Sequence, residues 1–431
     1  MIKDNVMTTM QLKAALLAGE YDGRLAELYG ESNAAAQRER YAALTDEFLG
    51  KYGDREGTGF YSVPGRSEIS GNHTDHNHGK VLAASIDLDI IAVAAASDDG
   101  WIRITSVGFK PDDIEIARLD DYRAERMHSA SLVAGTADGL LKRGYKVGGL
   151  VACTISNVMK GSGLSSSAAF EDMCVNLQNH LYNGGKIGAV ELAQISQYAE
   201  NEFFGKPCGL MDQIACAAGG FVYIDFADAE KPAVEKLPFD LGARGYSLCI
   251  VDTGGNHADL TDDYASVPRE MKEVAAQFGK SCLRELDRGD IISHASYLRG
   301  KCGDRAILRA LHFYDENDRV TEQAKALREG DLDRFFGLVK ASGNSSVSFL
   351  QNVYTVKNVG EQGLTLALAL ASHFLSGRGG AWRVHGGGFA GTIQAYVREE
   401  DVAAFRELME GVFGEGRVYV LHVRAEGATK L

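Results

Sequence analysis

The chain of 431 residues carries 59 acidic against 45 basic side chains, a formal charge of −14, which excludes a field of Lys and Arg attracting nucleic acid. With 45% hydrophobic and 24% charged residues it is not a disordered chain, and its length predicts two or three domains. Fifty glycines stand against six prolines. Roughly 30 glycines would be typical of this length, and turn-rich chains usually raise proline too, so some glycines are expected to serve close backbone approach to a ligand.

The first 19 residues lack a basic segment followed by an apolar stretch and a cleavage site. The apolar run 364–375 is too short to span a bilayer. Seven scattered cysteines, never in a Cys-x-x-Cys pair, read as buried reduced thiols. A cytoplasmic protein with no membrane partner is expected.

Residues 1–50 read as helical, with Leu25, Leu28, Tyr41, Leu44 and Phe48 at helical spacing. Residues 81–96 turn β-branched and Ala-rich, and alternation at Ile86, Leu88 and Ile90 predicts a strand. Helices are predicted over 125–143, 167–182 and 187–204, the last closed by Gly205-Lys206-Pro207. Strands follow at 220–226 and 247–252, then helices at 268–278, 305–314 and 317–328. Two closing strands, 391–397 and 417–423, enclose a helix at 400–412. The pattern is α+β in two halves, 1–225 and 226–431, with a ligand site expected between them.

Four segments carry chemistry. Lys160-Gly161-Ser162-Gly163-Leu164-Ser165-Ser166-Ser167-Ala168-Ala169 opens onto a helix, whose free N–H groups suit an anion. It matches neither the Walker A nor the dinucleotide pattern, because Ser167 stands where the third glycine belongs. The plain alternative is a Ser-rich cap after a flexible turn, but three consecutive serines exceed what a cap needs. A second cluster, His385-Gly386-Gly387-Gly388-Phe389-Ala390-Gly391, has more adjacent glycines than a loop before a strand requires.

The third segment, 63–79, contains Arg66, Glu68, Asn72, His73, Asp75, His76, Asn77 and His78. Three readings stay open: a metal site on His73, Asp75, His76 and His78, a solvated loop, and recognition of a small hydroxylated ligand by donors and acceptors. The fourth, 199–213, sets Glu200 at a helix end and Asp212 in a turn beside Leu210 and Met211, an apolar setting expected to raise the basicity of Asp212.

Together and in this order, the segments resemble the galactokinase branch of the GHMP small-molecule kinases. Its members carry P-G-R-x-N-x-I-G-E-H-x-D-Y, G-x-G-L-S-S-S-A, A-E-x-x-x-G-x-x-C-G-x-M-D-Q and G-G-G-F-x-G. The chain supplies Pro64-Gly65-Arg66, Gly71-x-His73-Thr74-Asp75, Gly161-x-Gly163-Leu164-Ser165-Ser166-Ser167-Ala168, Ala199-Glu200, Cys208-Gly209-Leu210-Met211-Asp212-Gln213 and Gly386-Gly387-Gly388-Phe389-Ala390-Gly391, matches that span 64–391.

The resemblance implies a two-domain GHMP kinase fold, its N-terminal domain ribosomal-protein-S5-like and its C-terminal domain ferredoxin-like, with the site between them. It implies an ATP-dependent sugar 1-kinase, with galactose the leading substrate. ATP phosphates would lie on Gly161, Ser162, Gly163, Leu164, Ser165, Ser166 and Ser167, with Mg2+ on Ser167 and Glu200. Asp212 would accept the sugar's proton, and Arg66 would stabilise the developing charge. The sugar would meet Asn72, His73, Asp75, Gly209 and Tyr264.

The chain departs from the family at Glu68 (Asn there), Ser70 (Ile), Asn72 (Glu) and His76 (Tyr), and a late Ser-His pair is replaced within 342–346. Asn72 thus stands where a carboxylate accepts from a sugar hydroxyl, and Glu68 is expected to restore part of that acceptor. The alternatives are a kinase for an amino sugar, pentose or uronic acid, and a non-catalytic sugar and ATP sensor.

Overall fold

The computed structural model describes residues 6–159, 163–255 and 260–431. Two sheets organise them. The larger has eight strands, in the order Thr429–Lys430, Gly59–Ser70, Lys80–Ser97, Gly149–Ser156, Trp101–Ser106 and Asp112–Glu115, with Phe221–Asp225 and Ala233–Leu237 branching from Lys80–Ser97. The smaller has four antiparallel strands, Val418–Leu421, Tyr246–Asp252, Thr392–Arg398 and Ala381–His385. In chain order these are 4-1-3-2, the ferredoxin-like arrangement.

Alternation along Lys80–Ser97 builds the layers, because successive side chains point to opposite faces. Ile90, Ala92 and Ala94 pack against the helices Ser129–Lys142 and Ser166–Tyr182. Ile91, Val93 and Ala95 pack on the other face against Thr9–Leu17, Asp22–Tyr29 and Ala34–Tyr52. Nearer its start, Leu82, Ala84 and Ile86 share a core with Val320 and Leu327 of one helix and Leu248 and Ile250 of the smaller sheet. That shared core holds the two halves together.

The structure differs from the sequence expectation in several places, among them the helix expected at 268–278, which spans Thr261–Ala276 with Pro268 inside it. Residues 63–70, grouped by their polarity with the loop, end a twelve-residue strand, Gly59–Ser70, that is buried throughout. Its register slips between Pro64 and Arg66 and between Glu68 and Ser70. Proline cannot donate to a ladder, and the first slip falls beside it. The helix expected at 125 begins at Ser129. The two helices expected at 305–314 and 317–328 are one of 26 residues, Asp304–Glu329, because the Glu316 carboxylate has buried partners and makes no break. The chain leaves the larger sheet after Leu237, not near 225, and returns to it at Thr429–Lys430. The helices Leu332–Ser345 and Gly363–Leu375 complete the second half. Among the described residues no helix is long and apolar enough to cross a membrane.

Candidate active site

Arg66 and Asp212 meet at the centre. Arg66 projects from the strand Gly59–Ser70, and Asp212 lies in the first turn of the helix Met211–Ala218. The guanidinium grips both carboxylate oxygens, Nε to Oδ1 at 2.8 Å and Nη2 to Oδ2 at 2.7 Å, a fork geometry specific to arginine. Burial works against the Arg66 charge, and the adjoining Asp212 more than offsets it, raising the pKa. Nη1 donates to the Gly163 carbonyl, and the Arg66 N–H donates to the Leu164 carbonyl at 3.1 Å. Ser165, held at φ 57°, donates its hydroxyl to Asp212 Oδ2. Asp212 is therefore in an ionic setting and not the apolar one expected, since Leu210 and Met211 turn away into the core beside Ile214 and Val81.

Ser166 and Ser167 open the helix Ser166–Tyr182 at the mouth of a cavity of about 530 Å3, walled by Ile90, Val107, Phe109, Val158 and Phe170. Gly161 and Ser162 lie outside the described residues, as does the segment 256–259. The cavity walls come from widely separated parts of the chain, so no single motif could announce them.

Glu200 is buried in a π-helical turn, Ala199–Phe204, that ends at Gly205. Lys206 Nζ stands 3.2 Å from its Oε1, and Gln213 Nε2 donates to its Oε2 at 3.1 Å and to Glu171 Oε2 at 3.0 Å. Burial, and then Glu200, push the Glu171 carboxyl well above its usual range. Ser167 and Glu200 are hard oxygen donors, a hydroxyl and a carboxylate. That donor set suits Mg2+, which takes few protein ligands and completes its coordination with phosphate and water. Among the described residues no group of three or more His, Cys, Asp or Glu is arranged to hold a metal, and this includes 73–78.

The segment 71–79 faces the second glycine cluster. Asn72 Nδ2 donates to the Gly386 carbonyl at 2.6 Å and to Glu68 Oε1 at 3.0 Å, while its Oδ1 accepts from Asn352 Nδ2 at 2.6 Å. His73 Nε2 lies 2.9 Å from the Gly387 carbonyl, and Tyr264 donates to the Gly388 carbonyl at 2.7 Å. Three of the residues singled out for the sugar thus hold three consecutive carbonyls of this loop. Burial lowers the His73 pKa to about 4, keeping it neutral near pH 7, and raises that of Tyr264 to about 12.

Asp75 approaches Gly209 closely: a Cβ there would come within 2.7 Å of its Oδ2 and push the carboxylate aside. Gly209 is three residues before Asp212, so this approach sets loop 71–79 beside the segment that leads into Asp212.

Glu68 does not point its bonded oxygen at open space. Oε1 serves Asn72 and the buried Arg383, whose Nη2 is 3.1 Å away. Sequence reasoning missed Arg383 and Asn352, and took His385 only as the start of the glycine cluster, with no role for its ring. His385 links Ser67 (3.1 Å) to Thr392 (2.9 Å), and its ring packs where a Cβ on Gly163 would meet it at 3.3 Å. Burial, then Arg66 and Arg383, lower its pKa to about 3. An isolated Arg, Asn or His carries no sequence signal that it will be buried behind a site.

Residues 46–96 match the galactokinase galactose-binding signature, and residues 130–220 match the GHMP kinases N terminal domain. The chain is 31% identical to the galactokinase of Streptomyces coelicolor over 389 residues, 89% of this chain and 94% of that one. It is also 31% identical to the galactokinase of Enterococcus faecalis over 378 residues, 84% and 92% of the two chains. The crystal structure of Lactococcus lactis galactokinase complexed with galactose superposes with a TM-score of 0.76 at 25% identity, covering 91% of this chain and all of that one. Methanococcus jannaschii mevalonate kinase shares the fold, with a TM-score of 0.58 at 13% identity over 84% of this chain and 98% of that one. With the S-S-S loop, the Arg66–Asp212 pair and this extended similarity in view, the chain belongs to the galactokinase family of the GHMP kinases, sugar phosphotransferases of α+β fold.

Proposed function

We propose that the protein transfers the γ-phosphoryl group of ATP to the anomeric hydroxyl of galactose, giving ADP and galactose 1-phosphate. The observation that carries the reading is the fork between Arg66 and Asp212, shared with Ser165 and the Gly163 carbonyl. Asp212 takes the proton of the sugar hydroxyl as its oxygen bonds to phosphorus. The bond to the β-phosphate bridging oxygen breaks, and ADP leaves with that electron pair. Arg66 sits where it can bind the carboxylate and the charge spreading over the phosphoryl oxygens, and such electrostatic positioning is most of what this chemistry asks of a protein.

The serine loop, residues 161–167, receives the phosphates, and the neighbouring cavity of about 530 Å3 accepts the base, its Phe109 and Phe170 rings and aliphatic side chains suiting a planar heterocycle and Asp112, Ser129 and Thr154 among its polar lining suiting the edge groups of that base. Mg2+, when bound by Ser167 and Glu200, supplies neutralisation of phosphate charge. The sugar lies among Asn72, His73, Asp75, Gly209 and Tyr264, and the two domains are those built on the larger and the smaller sheet. ATP supply and seven free cysteines fit a cytoplasmic enzyme.

One observation favours a second acceptor: Asn72 replaces a carboxylate, and both its N–H bonds are taken by Glu68 and Gly386. Sugars altered at the hydroxyl that faces it would then be tolerated. Coupled ADP release over a panel of hexoses, pentoses, amino sugars and uronic acids tests both readings. Galactose turnover that vanishes in Asp212→Asn supports the first, a different ranking supports the second, and ATP binding without turnover of any sugar overturns both in favour of a sensor.

A further inference from the structure

The loop carrying Asn72, His73 and Asp75 is anchored at both ends by one helix that no motif singled out. In Asp304–Glu329, His312 and Glu316 stand one turn apart, Asn317 follows Glu316 directly, and all three are buried. His312 Nε2 donates to the Asn72 carbonyl at 3.0 Å, and its Nδ1 accepts from Ser345 at 2.8 Å. Glu316 Oε1 accepts from the Gly71 N–H at 3.1 Å and from the hydroxyls of Ser70 and Ser342, while Oε2 accepts from Arg319 Nε at 2.7 Å. Asn317 Oδ1 accepts from the Lys80 N–H at 2.7 Å.

The first two loop residues and the residue just after it are thus held through their backbone, whatever their side chains do. Gly71 is held at φ 99°, where a Cβ would lie 2.6 Å from the Lys80 carbonyl, so the loop's entry has no slack. The Glu316 carboxyl stays ionised: burial would raise it, but Arg319, His312 and Arg383 hold it far below the usual carboxylate range. Ser342, from the segment where the chain departs from its family's late Ser-His pair, gives its hydroxyl to this same carboxylate. Among the described residues, neither the serine loop nor Asp212 is hydrogen-bonded to His312, Glu316 or Asn317.

We propose that Glu316, seconded by His312 and Asn317, is a positioning residue for the sugar: it fixes the sugar-binding loop against the phosphoryl-transfer centre without touching either substrate. This rests on the reading that loop 71–79 receives the sugar. It separates two substrates that share one site, because the clamp reaches only the sugar's side.

Glu316→Gln, Asn317→Ala and Ser342→Ala would be compared with the wild type by initial rates with each substrate varied, by calorimetric galactose binding without ATP, and by amide hydrogen exchange of the loop. In Glu316→Gln and Asn317→Ala the galactose Kd and KM are expected to rise roughly tenfold, the loss of a charged or buried hydrogen bond, with the ATP KM unchanged and faster exchange confined to 71–80. Ser342→Ala is expected to shift the same quantities less. If Glu316→Gln does not fold, the other two variants carry the test. Unchanged galactose Kd and KM in folded variants, or an equal rise in the ATP KM, would overturn the proposal. A wild type that turns over no sugar would instead sink the functional reading, and the two failures are read from different samples.

Discussion

Arg66 touches Asp212 twice and the Gly163 carbonyl once with its guanidinium, and the Leu164 carbonyl with its own N–H, so in the proposed mechanism it couples proton acceptor and phosphate cradle in a single residue. A lysine cannot reproduce a planar fork. Arg66→Lys is expected to lower kcat far more than it raises either KM, measured by steady-state kinetics. Asp212→Asn keeps the shape and removes the base, for which a loss of roughly 10²–10⁴ in kcat is expected, with ATP affinity retained in a direct binding assay. Glu68 makes a different prediction, since its removal leaves the fully buried Arg383 without its carboxylate. Glu68→Gln is expected to destabilise by about 3 kcal/mol or more and to weaken sugar binding through Asn72. Undiminished urea stability together with unchanged galactose affinity would refute that role. Arg66, Asp212 and the serines were legible because they sit in dense motifs. Arg383 and Asn352 were not, because their importance lies in what burial places beside them.

The N-terminal helices Thr9–Leu17, Asp22–Tyr29 and Ala34–Tyr52 cover the face of the larger sheet opposite the serine-loop helix, burying Leu16, Leu25, Tyr41 and Phe48. Their apolar spacing was visible in the sequence. Their destination was not, and it is set partly by one buried acid. Asp89 accepts from Arg40 Nη1 at 2.6 Å and Arg424 Nη1 at 3.1 Å, with Tyr29 and Ser62 donating to the same carboxylate. Burial would raise its pKa, yet Arg40 and Arg424 bring it below the ordinary value. The cluster therefore ties helix, sheet and C-terminal tail together at one point. Removing the acid strands a buried guanidinium, so Asp89→Asn is expected to cost about 3–5 kcal/mol in urea unfolding while leaving the KM values alone. The strand Gly59–Ser70 shows the reverse difficulty. Its polar residues resemble a loop when read alone, but both faces are covered and their partners come from residues up to 362 positions away.

Across the whole molecule, burial of ionisable groups couples stability to pH. Asp172 is fully buried in the helix that follows the serine loop, and desolvation raises its carboxyl well above the usual range. Above its ordinary pKa of about 3.9 the unfolded chain has released this proton while the folded chain retains it, so this residue's contribution to stability falls as pH rises. Asp172→Asn removes that loss. Its stability advantage is expected to widen from pH 4 to pH 8 and to close at the acid end, and a gap independent of pH in urea titrations would contradict the argument. The ordered motifs by themselves determined the chemistry, because phosphate loop, base and arginine are defined by residue type and close spacing. Periodicity determined the α+β class and most elements. Tertiary structure alone decided that the late glycine loop is held by Asn72, His73 and Tyr264, that one helix clamps both ends of the sugar loop, and that the chain returns at Thr429–Lys430 to the sheet it had left. These are pairings between buried polar groups far apart in the chain. Their partners are chosen by the need to satisfy each donor and acceptor once water is excluded, and no local pattern records that choice.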